Sequence, residues 1–181
     1  MMIAFINFLT LSRIILAAVI FLLLMSPDGY LLALILFYTA ALTDWLDGYL
    51  ARKYNAVSQL GEILDPIADK ILIVFVFFAL SINLSNYLIG FVASLIITRE
   101  IWVGALRDLN ARNNNSDATK VTFLAKIKTT VQLFTISIYL LGLTFNSMIT
   151  IIIGDIFLLI SLFITLYTGL EYTLKSFNKN N

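Results

Sequence analysis

Apolar residues in this sequence fall into six stretches of about 20 residues each, and this feature limits the fold more than any other. An α-helix needs about 20 consecutive, mostly apolar residues to cross a lipid bilayer. The stretches lie at residues 6–25, 30–52, 62–80, 86–109, 121–143 and 147–172. Turn-forming residues separate them, as at 26–29 and 83–86. The sequence therefore predicts six transmembrane helices joined by short loops.

Composition supports a protein that lies mostly in lipid. Of the 181 residues, 60% are hydrophobic and 13% are charged, whereas about 25% are charged in ordinary soluble domains. Six spans consume nearly the whole chain, so we expect one integral-membrane domain over residues 1–181. No ten-residue alternation of apolar and polar residues recurs, so an all-α helical bundle is favoured over a β-barrel.

The distribution of cations predicts the orientation in the membrane. With six spans and a cytoplasmic N-terminus, all 12 Lys and Arg residues lie in the cytoplasmic half or in cytoplasmic loops. The opposite loops, near residues 26–29, 81–86 and 142–148, contain none. This asymmetry indicates a multi-pass protein of the cell (inner) membrane with both termini in the cytoplasm. The first span lacks a preceding basic stretch, so we expect it to be retained and not cleaved as a signal peptide.

The absence of His and Cys excludes several kinds of chemistry. Cys/His zinc sites, thiol nucleophiles and Ser-His-Asp triads are all ruled out. Catalysis by this chain would have to use carboxylates, cations, hydroxyls, backbone groups or metals bound through oxygen. We expect no nucleic-acid partner.

Four aspartates form the most distinctive polar feature. Asp44 and Asp47 lie three residues apart near the end of the second span, and Asp65 and Asp69 lie four apart near the start of the third. Each spacing puts both carboxylates on one face of a helix. A short connection brings the two helix ends together, so we expect all four carboxylates to converge just inside the cytoplasmic surface.

Four carboxylates at one depth require neutralisation. Arg52 and Lys70 are near in sequence, but two cations do not balance four anions. Oxygen ligands favour Mg²⁺ or Mn²⁺, and paired metal ions are a common device in phosphoryl chemistry. The alternative is that these acids simply pair with Arg and Lys at helix ends, with Gly48 and Gly61 serving as packing contacts.

This segment resembles the signature of the CDP-alcohol phosphotransferase family. Asp44-Trp-Leu-Asp47-Gly48-Tyr-Leu-Ala51-Arg52 is followed, after eight residues, by Gly61-Glu-Ile-Leu-Asp65-Pro-Ile-Ala-Asp69. All eight defining positions match, and the six-span architecture also suits the family. The resemblance implies a transferase that joins an alcohol to a CDP-linked donor and releases CMP. Members are typically homodimers, which makes a homodimer the expected assembly.

The same resemblance assigns roles to the residues of the signature. Asp44, Asp47, Asp65 and Asp69 would hold two Mg²⁺ or Mn²⁺ ions on the donor pyrophosphate. Asp69 would also be the catalytic base for the acceptor hydroxyl. The nucleotide would bind at Asp44, Gly48, Ala51, Arg52 and Gly61.

A further group of cations suggests a pocket for an anionic acceptor. These cations lie away from the aspartates in the sequence: Arg99 interrupts an apolar run, Arg107, Arg112, Lys126 and Lys128 follow it, and Arg13 lies near the start of the chain. An ionisable residue inside a membrane helix marks a functional site by default, and Arg is well suited to binding phosphate. The alternative for Arg99 is a structural pair with Glu100 or a side chain that extends to the membrane surface.

Three stretches resemble one branch of the family, the phosphatidylglycerophosphate synthases. They are Asn7-Phe-Leu-Thr10-Leu-Ser-Arg13, Ile97-Thr-Arg99-Glu100 with Ala105-Leu-Arg107, and Ala125-Lys126-Ile-Lys128-Thr-Thr-Val-Gln132. The resemblance implies transfer of a phosphatidyl group from CDP-diacylglycerol to glycerol 3-phosphate, in phospholipid biosynthesis. The acceptor phosphate would bind at Thr10, Arg13, Arg99, Arg107 and Lys126.

The residues are also compatible with other functions. Within the family, a cardiolipin synthase would use phosphatidylglycerol as the acceptor, and a phosphatidylinositol-phosphate synthase would use a ring alcohol. Membrane carboxylates also line ion paths in transporters and channels, but here they sit near one surface. A structural scaffold is a further alternative.

Overall fold

The described part of the protein is a bundle of six α-helices. The computed structural model describes residues 2–54, 59–113, 115 and 119–178, except for the side chains at 2–4, 51–52, 59–60 and 62–63. The helices are α1 (Met2–Leu23), α2 (Tyr30–Lys53), α3 (Gln59–Asn83), α4 (Tyr87–Arg112), α5 (Phe123–Thr144) and α6 (Met148–Phe177). Each predicted span corresponds to one helix, so the all-α fold class is confirmed.

Five helices in the described part of the chain are long and apolar enough to cross a membrane. The exception is α3, which has 25 residues and carries Asp65, Asp69 and Lys70 in its first half. It packs against α1, α4 and α5. Its second half is apolar, and side chains such as Val76, Phe77 and Leu80 are completely buried. The charged half of α3 therefore lies at one end of the bundle, while the apolar half belongs to the core.

One end of the bundle is closed by short, well-capped connections. Asn86 donates its backbone N–H to the carbonyl of Ser81 at 3.0 Å, and its side chain accepts from the N–H of Leu88 at the start of α4. Ser147 links α5 to α6 in the same way, bonding to Gly142 and capping at Thr150. One residue thus ends one helix and begins the next, which explains how such short loops reverse the chain.

Side-chain hydrogen bonds hold the helices together at this capped end. The amide of Asn83 donates to the carbonyl of Leu24 at 2.6 Å and to the hydroxyl of Tyr30 at 2.7 Å. The hydroxyl of Tyr139 donates to Asp155 at 2.6 Å, so α5 is tied to α6. The charged residues of the signature lie at the opposite end of the bundle.

Candidate active site

The four aspartates of the signature converge, and a cation from α1, Arg13, lies among them. The guanidinium of Arg13 lies 2.5 Å from Asp44 Oδ1, 2.8 Å from Asp47 Oδ2 and 3.3 Å from Asp65 Oδ1. It also contacts the carboxylate of Asp69 directly. The predicted convergence is therefore present in this structure, between the end of α2 and the start of α3.

The charged members of this cluster differ in burial. Arg13 is completely buried and Asp47 almost so, whereas Asp44, Asp65 and Asp69 remain partly exposed. One turn before Arg13, the hydroxyl of Thr10 donates to Asp65 Oδ1 at 2.7 Å. Thr10 and Arg13 share a face of α1 because they are three residues apart. The first helix thus supplies both a hydroxyl and a cation to the aspartates.

This position of Arg13 corrects one expectation. The sequence grouped Arg13 with cations lying away from the carboxylates, and it named Arg52 and Lys70 as the nearby cations. In the structure Arg13 lies among the four carboxylates, Lys70 contacts Glu100 instead, at 3.5 Å, and the side chain of Arg52 lies outside the described residues. The physical reason is the packing of α1 against α2 and α3, which brings together residues 31 to 56 positions apart.

The donor atoms of this cluster suit a hard divalent cation, because all of them are carboxylate oxygens. Among the described residues, however, no group of three or more acidic side chains is arranged to hold a metal ion directly. The Arg13 guanidinium fills the space between the oxygens. Metal binding would therefore require Arg13 to give up part of its contacts with Asp44, Asp47, Asp65 and Asp69.

The expected nucleotide residues lie on the same helices as the aspartates. Gly48 follows Asp47 on α2 and is half-buried, and Gly61 is buried in the first turn of α3. Ala51 and Arg52 belong to the last turn of α2, but their side chains lie outside the described residues. The structure thus places Asp44 and Gly48 one helical turn apart, beside the cluster.

A cavity of about 380 Å³ adjoins the aspartates and is rich in cations. Its wall includes charged side chains from α3, α4 and α5: Asp69, Lys70, Arg99, Glu100, Arg107, Lys126 and Lys128. Asp69 also borders a smaller space next to Arg13 and Asp44. Asp69 is therefore shared between the carboxylate cluster and the cation-lined cavity.

The predicted acceptor cations divide between these two places. Arg99, Arg107 and Lys126 line the larger cavity, whereas Thr10 and Arg13 contact the aspartates. Arg112 is exposed and forms an ion pair with Asp108 on the surface of α4, at 2.8 Å. It is not part of the cavity wall.

Glu100 organises the cations of the cavity. Its carboxylate accepts from Arg99 Nη1 at 2.8 Å and contacts Lys128 Nζ directly, and Lys70 Nζ lies 3.5 Å away. Arg99 and Lys128 are almost completely buried. The structural pair of Arg99 with Glu100 is thus present, but it belongs to a network that joins α3, α4 and α5.

Arg99 is also held by the last helix, α6. Its Nη2 donates to Thr168 Oγ1 at 3.0 Å, and its guanidinium carbon lies 5.6 Å from the ring centroid of Tyr172. Arg107 approaches the same ring at 5.8 Å. At Gly169, an added Cβ would lie 3.0 Å from Arg99 Cγ. The absence of a side chain at this position therefore lets Arg99 lie against α6.

Sequence reasoning missed several residues of this site. The role of Glu100 had a signal, because the charged pair Arg99-Glu100 interrupts an apolar run. Thr168 and Tyr172 had none, since a threonine or tyrosine in a membrane helix is unremarkable. Their contribution depends on how α6 packs against α4, which spacing along the chain does not reveal.

Comparison with known proteins identifies the family of this chain. The model of the CDP-alcohol phosphatidyltransferase family matches residues 3–167. The chain belongs to this family. Its members are metal-dependent transferases.

Individual relatives extend the match over most of the chain. A protein of Rickettsia bellii is 40% identical over 169 residues, which cover 92% of this chain and 91% of the relative. A protein of Blochmanniella floridana is 36% identical over 167 residues, covering 91% and 86%. One from Escherichia coli K12 is 35% identical over 127 residues, covering 69% and 70%. All three carry the name CDP-diacylglycerol–glycerol-3-phosphate 3-phosphatidyltransferase.

Proposed function

We propose that this membrane transferase moves a phosphatidyl group from CDP-diacylglycerol to glycerol 3-phosphate. The free terminal hydroxyl of glycerol 3-phosphate attacks the lipid-linked phosphorus of the donor pyrophosphate. A new P–O bond forms, the P–O bond between the lipid-linked phosphorus and the bridging oxygen breaks, and CMP leaves with that oxygen. The hydroxyl proton passes to a base, and the product is phosphatidylglycerophosphate.

The observation that carries this proposal is the double position of Asp69. It borders both the carboxylate cluster and the cation-lined cavity. A donor bound at the cluster and an acceptor bound in the cavity would therefore meet at its carboxylate. Asp69 is the residue best placed to take the acceptor proton, and phosphoryl transfer otherwise depends mainly on positioning and charge.

The donor would bind along α2 and the start of α3. Asp44, Asp47, Asp65 and Asp69 would hold Mg²⁺ or Mn²⁺, with two ions as the expected number. When bound, these ions would neutralise the pyrophosphate and the charge that develops on the leaving CMP. Gly48 and Gly61 would leave room for the nucleotide, beside Ala51 and Arg52.

The acceptor phosphate would bind in the larger cavity. Arg99, Arg107 and Lys126 line it, and these side chains suit a phosphate group. For Thr10 and Arg13, the contacts with aspartates support a different role, which is to position the carboxylates. The acceptor site thus narrows from five candidate residues to the three that face the cavity.

The protein would lie in the inner membrane of the cell. The end of the bundle that carries the candidate active site would face the cytoplasm. The loops at the capped end, at residues 24–29, 84–86 and 145–147, contain no Lys or Arg. This is the pattern of a non-cytoplasmic surface. Water-soluble glycerol 3-phosphate would then reach the cavity from the cytoplasm while the donor stays in the lipid. We propose a homodimer as the assembly, by analogy with the family.

An acceptor panel tests the proposed reaction. Purified protein in CDP-diacylglycerol vesicles receives glycerol 3-phosphate, phosphatidylglycerol or inositol phosphate, with Mg²⁺ or with a chelator, and CMP release is measured. We expect release with glycerol 3-phosphate that depends on the metal. Turnover only with phosphatidylglycerol or inositol phosphate would contradict the proposed acceptor. Ion flux without CMP release would instead indicate a transporter.

A further inference from the structure

Glu100 is an unusual component of a cavity expected to bind an anion. Lys70, Arg99, Arg107, Lys126 and Lys128 contribute positive charge to the described part of its wall, and Glu100 brings a negative one into contact with three of them. A carboxylate at this position repels any incoming phosphate. Its presence therefore needs an explanation beyond binding the acceptor.

The burial of its partners supplies one half of that explanation. Arg99 and Lys128 are almost completely buried inside the bundle. A buried cation without a counter-charge is strongly destabilising. In the ligand-free protein, Glu100 provides this counter-charge through its contacts with Arg99 Nη1 and Lys128 Nζ.

The geometry of the contacts supplies the other half. Both buried cations converge on the same oxygen, Oε1 of Glu100, and Lys70 approaches the second oxygen. A phosphate oxygen at the position of Oε1 could accept hydrogen bonds from the same cationic donors. The carboxylate therefore holds the donors in place while occupying them.

We propose that Glu100 is a resident counter-anion that the acceptor phosphate displaces from Arg99 and Lys128. This inference rests on the proposed function, because it takes the cavity to be the acceptor site. In this scheme the carboxylate competes with every anion that enters. A phosphate monoester carries about −1.5 to −2 charges at neutral pH, more than the single negative charge of Glu100, so it can displace the carboxylate. Chloride carries only one charge and does not displace it. After the reaction, the returning carboxylate assists release of the phosphorylated product.

Anion binding to a charge-neutralised variant tests this competition. The probe is inorganic phosphate, titrated calorimetrically into detergent-solubilised protein in the absence of donor. In Glu100→Gln, the amide keeps the shape but not the charge, so phosphate no longer displaces an anion. We expect phosphate to bind about tenfold tighter than to the wild-type protein. Equal or weaker binding would show that Glu100 only organises the cations, and would overturn the proposal.

A second variant covers the case in which Glu100→Gln does not fold. Glu100→Asp keeps the counter-charge but shortens the side chain by one methylene group, which weakens its hold on Arg99 and Lys128. We expect phosphate binding to tighten about threefold. Weaker or unchanged binding by this variant would overturn the proposal too.

Two controls define where the effect arises. Asp108→Asn removes a carboxylate on the same helix that pairs with Arg112 outside the cavity, and phosphate binding should change less than about twofold. In the double variant Glu100→Gln with Lys128→Gln, the gain in affinity should be lost. A gain that persists in the double variant would mean that phosphate binds elsewhere, which contradicts the displacement from Lys128.

Turnover measurements distinguish a failure of this inference from a failure of the proposed function. Glu100→Gln should lower KM for glycerol 3-phosphate about tenfold without raising kcat, and added chloride should inhibit it more than the wild-type protein. Absence of turnover with glycerol 3-phosphate in the wild-type protein would refute the proposed function. The ratio of phosphate affinities between wild type and Glu100→Gln would still decide the role of Glu100.

Discussion

The guanidinium of Arg13 lies 2.8 Å from the carboxylate of Asp47, and both side chains are buried between the first two helices. Arg13 reaches the other three aspartates of the signature as well. A single cation from α1 therefore offsets part of the repulsion among four anions. The metal site and the packing of α1 are physically linked through this side chain.

The link predicts that Arg13→Gln makes stability dependent on metal. In a chelator, the variant should lose about 2–3 kcal/mol of stability, less than the full penalty for breaking a buried pair because three of the carboxylates are partly exposed. Added Mg²⁺ should raise the melting temperature more in Arg13→Gln than in the wild-type protein, since the metal replaces the lost charge. Thermal unfolding in detergent measures both effects.

Arg112→Gln is the matched control for this experiment. Arg112 also pairs with an aspartate, but on the exposed surface of α4, where ion pairs contribute about 0–1 kcal/mol. It should melt close to the wild-type temperature with or without metal. If Arg13→Gln behaves like Arg112→Gln, then Arg13 is not the counter-cation of the cluster.

The position of Arg13 also shows where sequence reasoning reached its limit. The helices are predicted by apolar stretches of membrane-spanning length. Helical periodicity predicts that Asp44 and Asp47 lie on the same face of a helix. Both are local patterns. The approach of Arg13 to Asp69, 56 residues away, depends on the packing of α1 against α3. No spacing within either helix contains that information.

The cavity residues also show what can and cannot be predicted from the sequence. Arg99 is predicted because charge is expensive in a membrane helix, whereas Arg107 and Lys126 are predicted from the resemblance to one branch of the family. Thr168, which accepts a hydrogen bond from Arg99, carries no charge and gave no such signal. The free-energy cost of a charge in a membrane helix points to ionised residues in the sequence. Their neutral hydrogen-bond partners can be identified only from the packing of the helices.

Asp69→Asn should abolish turnover while leaving the protein folded. The amide oxygen still accepts from Arg13, so the contact between α1 and α3 persists, but the amide does not take up the proton of the acceptor hydroxyl. We expect CMP release to fall about 10³-fold with an unchanged melting temperature. Activity within tenfold of wild type would exclude Asp69 as the base, and Asp108→Asn on α4 controls for the loss of a carboxylate elsewhere.

Asp44→Asn should produce a different defect. Asp44 contacts Arg13 and lies among the donors expected to hold the metal, but it does not line the larger cavity. Loss of one charged oxygen should raise the Mg²⁺ concentration needed for half-maximal turnover about tenfold. Excess Mg²⁺ should restore activity in Asp44→Asn and not in Asp69→Asn. The reverse pattern would require the two roles to be exchanged.

The capped end of the bundle should affect stability without affecting catalysis. Tyr139→Phe removes the hydroxyl that donates to Asp155 at 2.6 Å, and among the described residues the carboxylate then keeps the amide of Asn86, at 3.4 Å. An acceptor left poorly satisfied costs about 1–3 kcal/mol. We expect a lower melting temperature with KM and kcat within about twofold of wild type, because no cavity residue is touched. A changed KM for glycerol 3-phosphate would show coupling between the two ends.

Gly169 gives a test of the acceptor cavity that leaves every charge in place. A Cβ at this position would lie 3.0 Å from Arg99 Cγ, so Gly169→Leu should push Arg99 away from Thr168 and from the cavity. We expect KM for glycerol 3-phosphate to rise about tenfold while the Mg²⁺ requirement stays the same. Gly104→Leu is the matched control, because a Cβ there would meet nothing within 4 Å. If both leucine variants raise KM equally, the effect is a general one of bulk in the bundle, and Arg99 is not the residue that holds the acceptor.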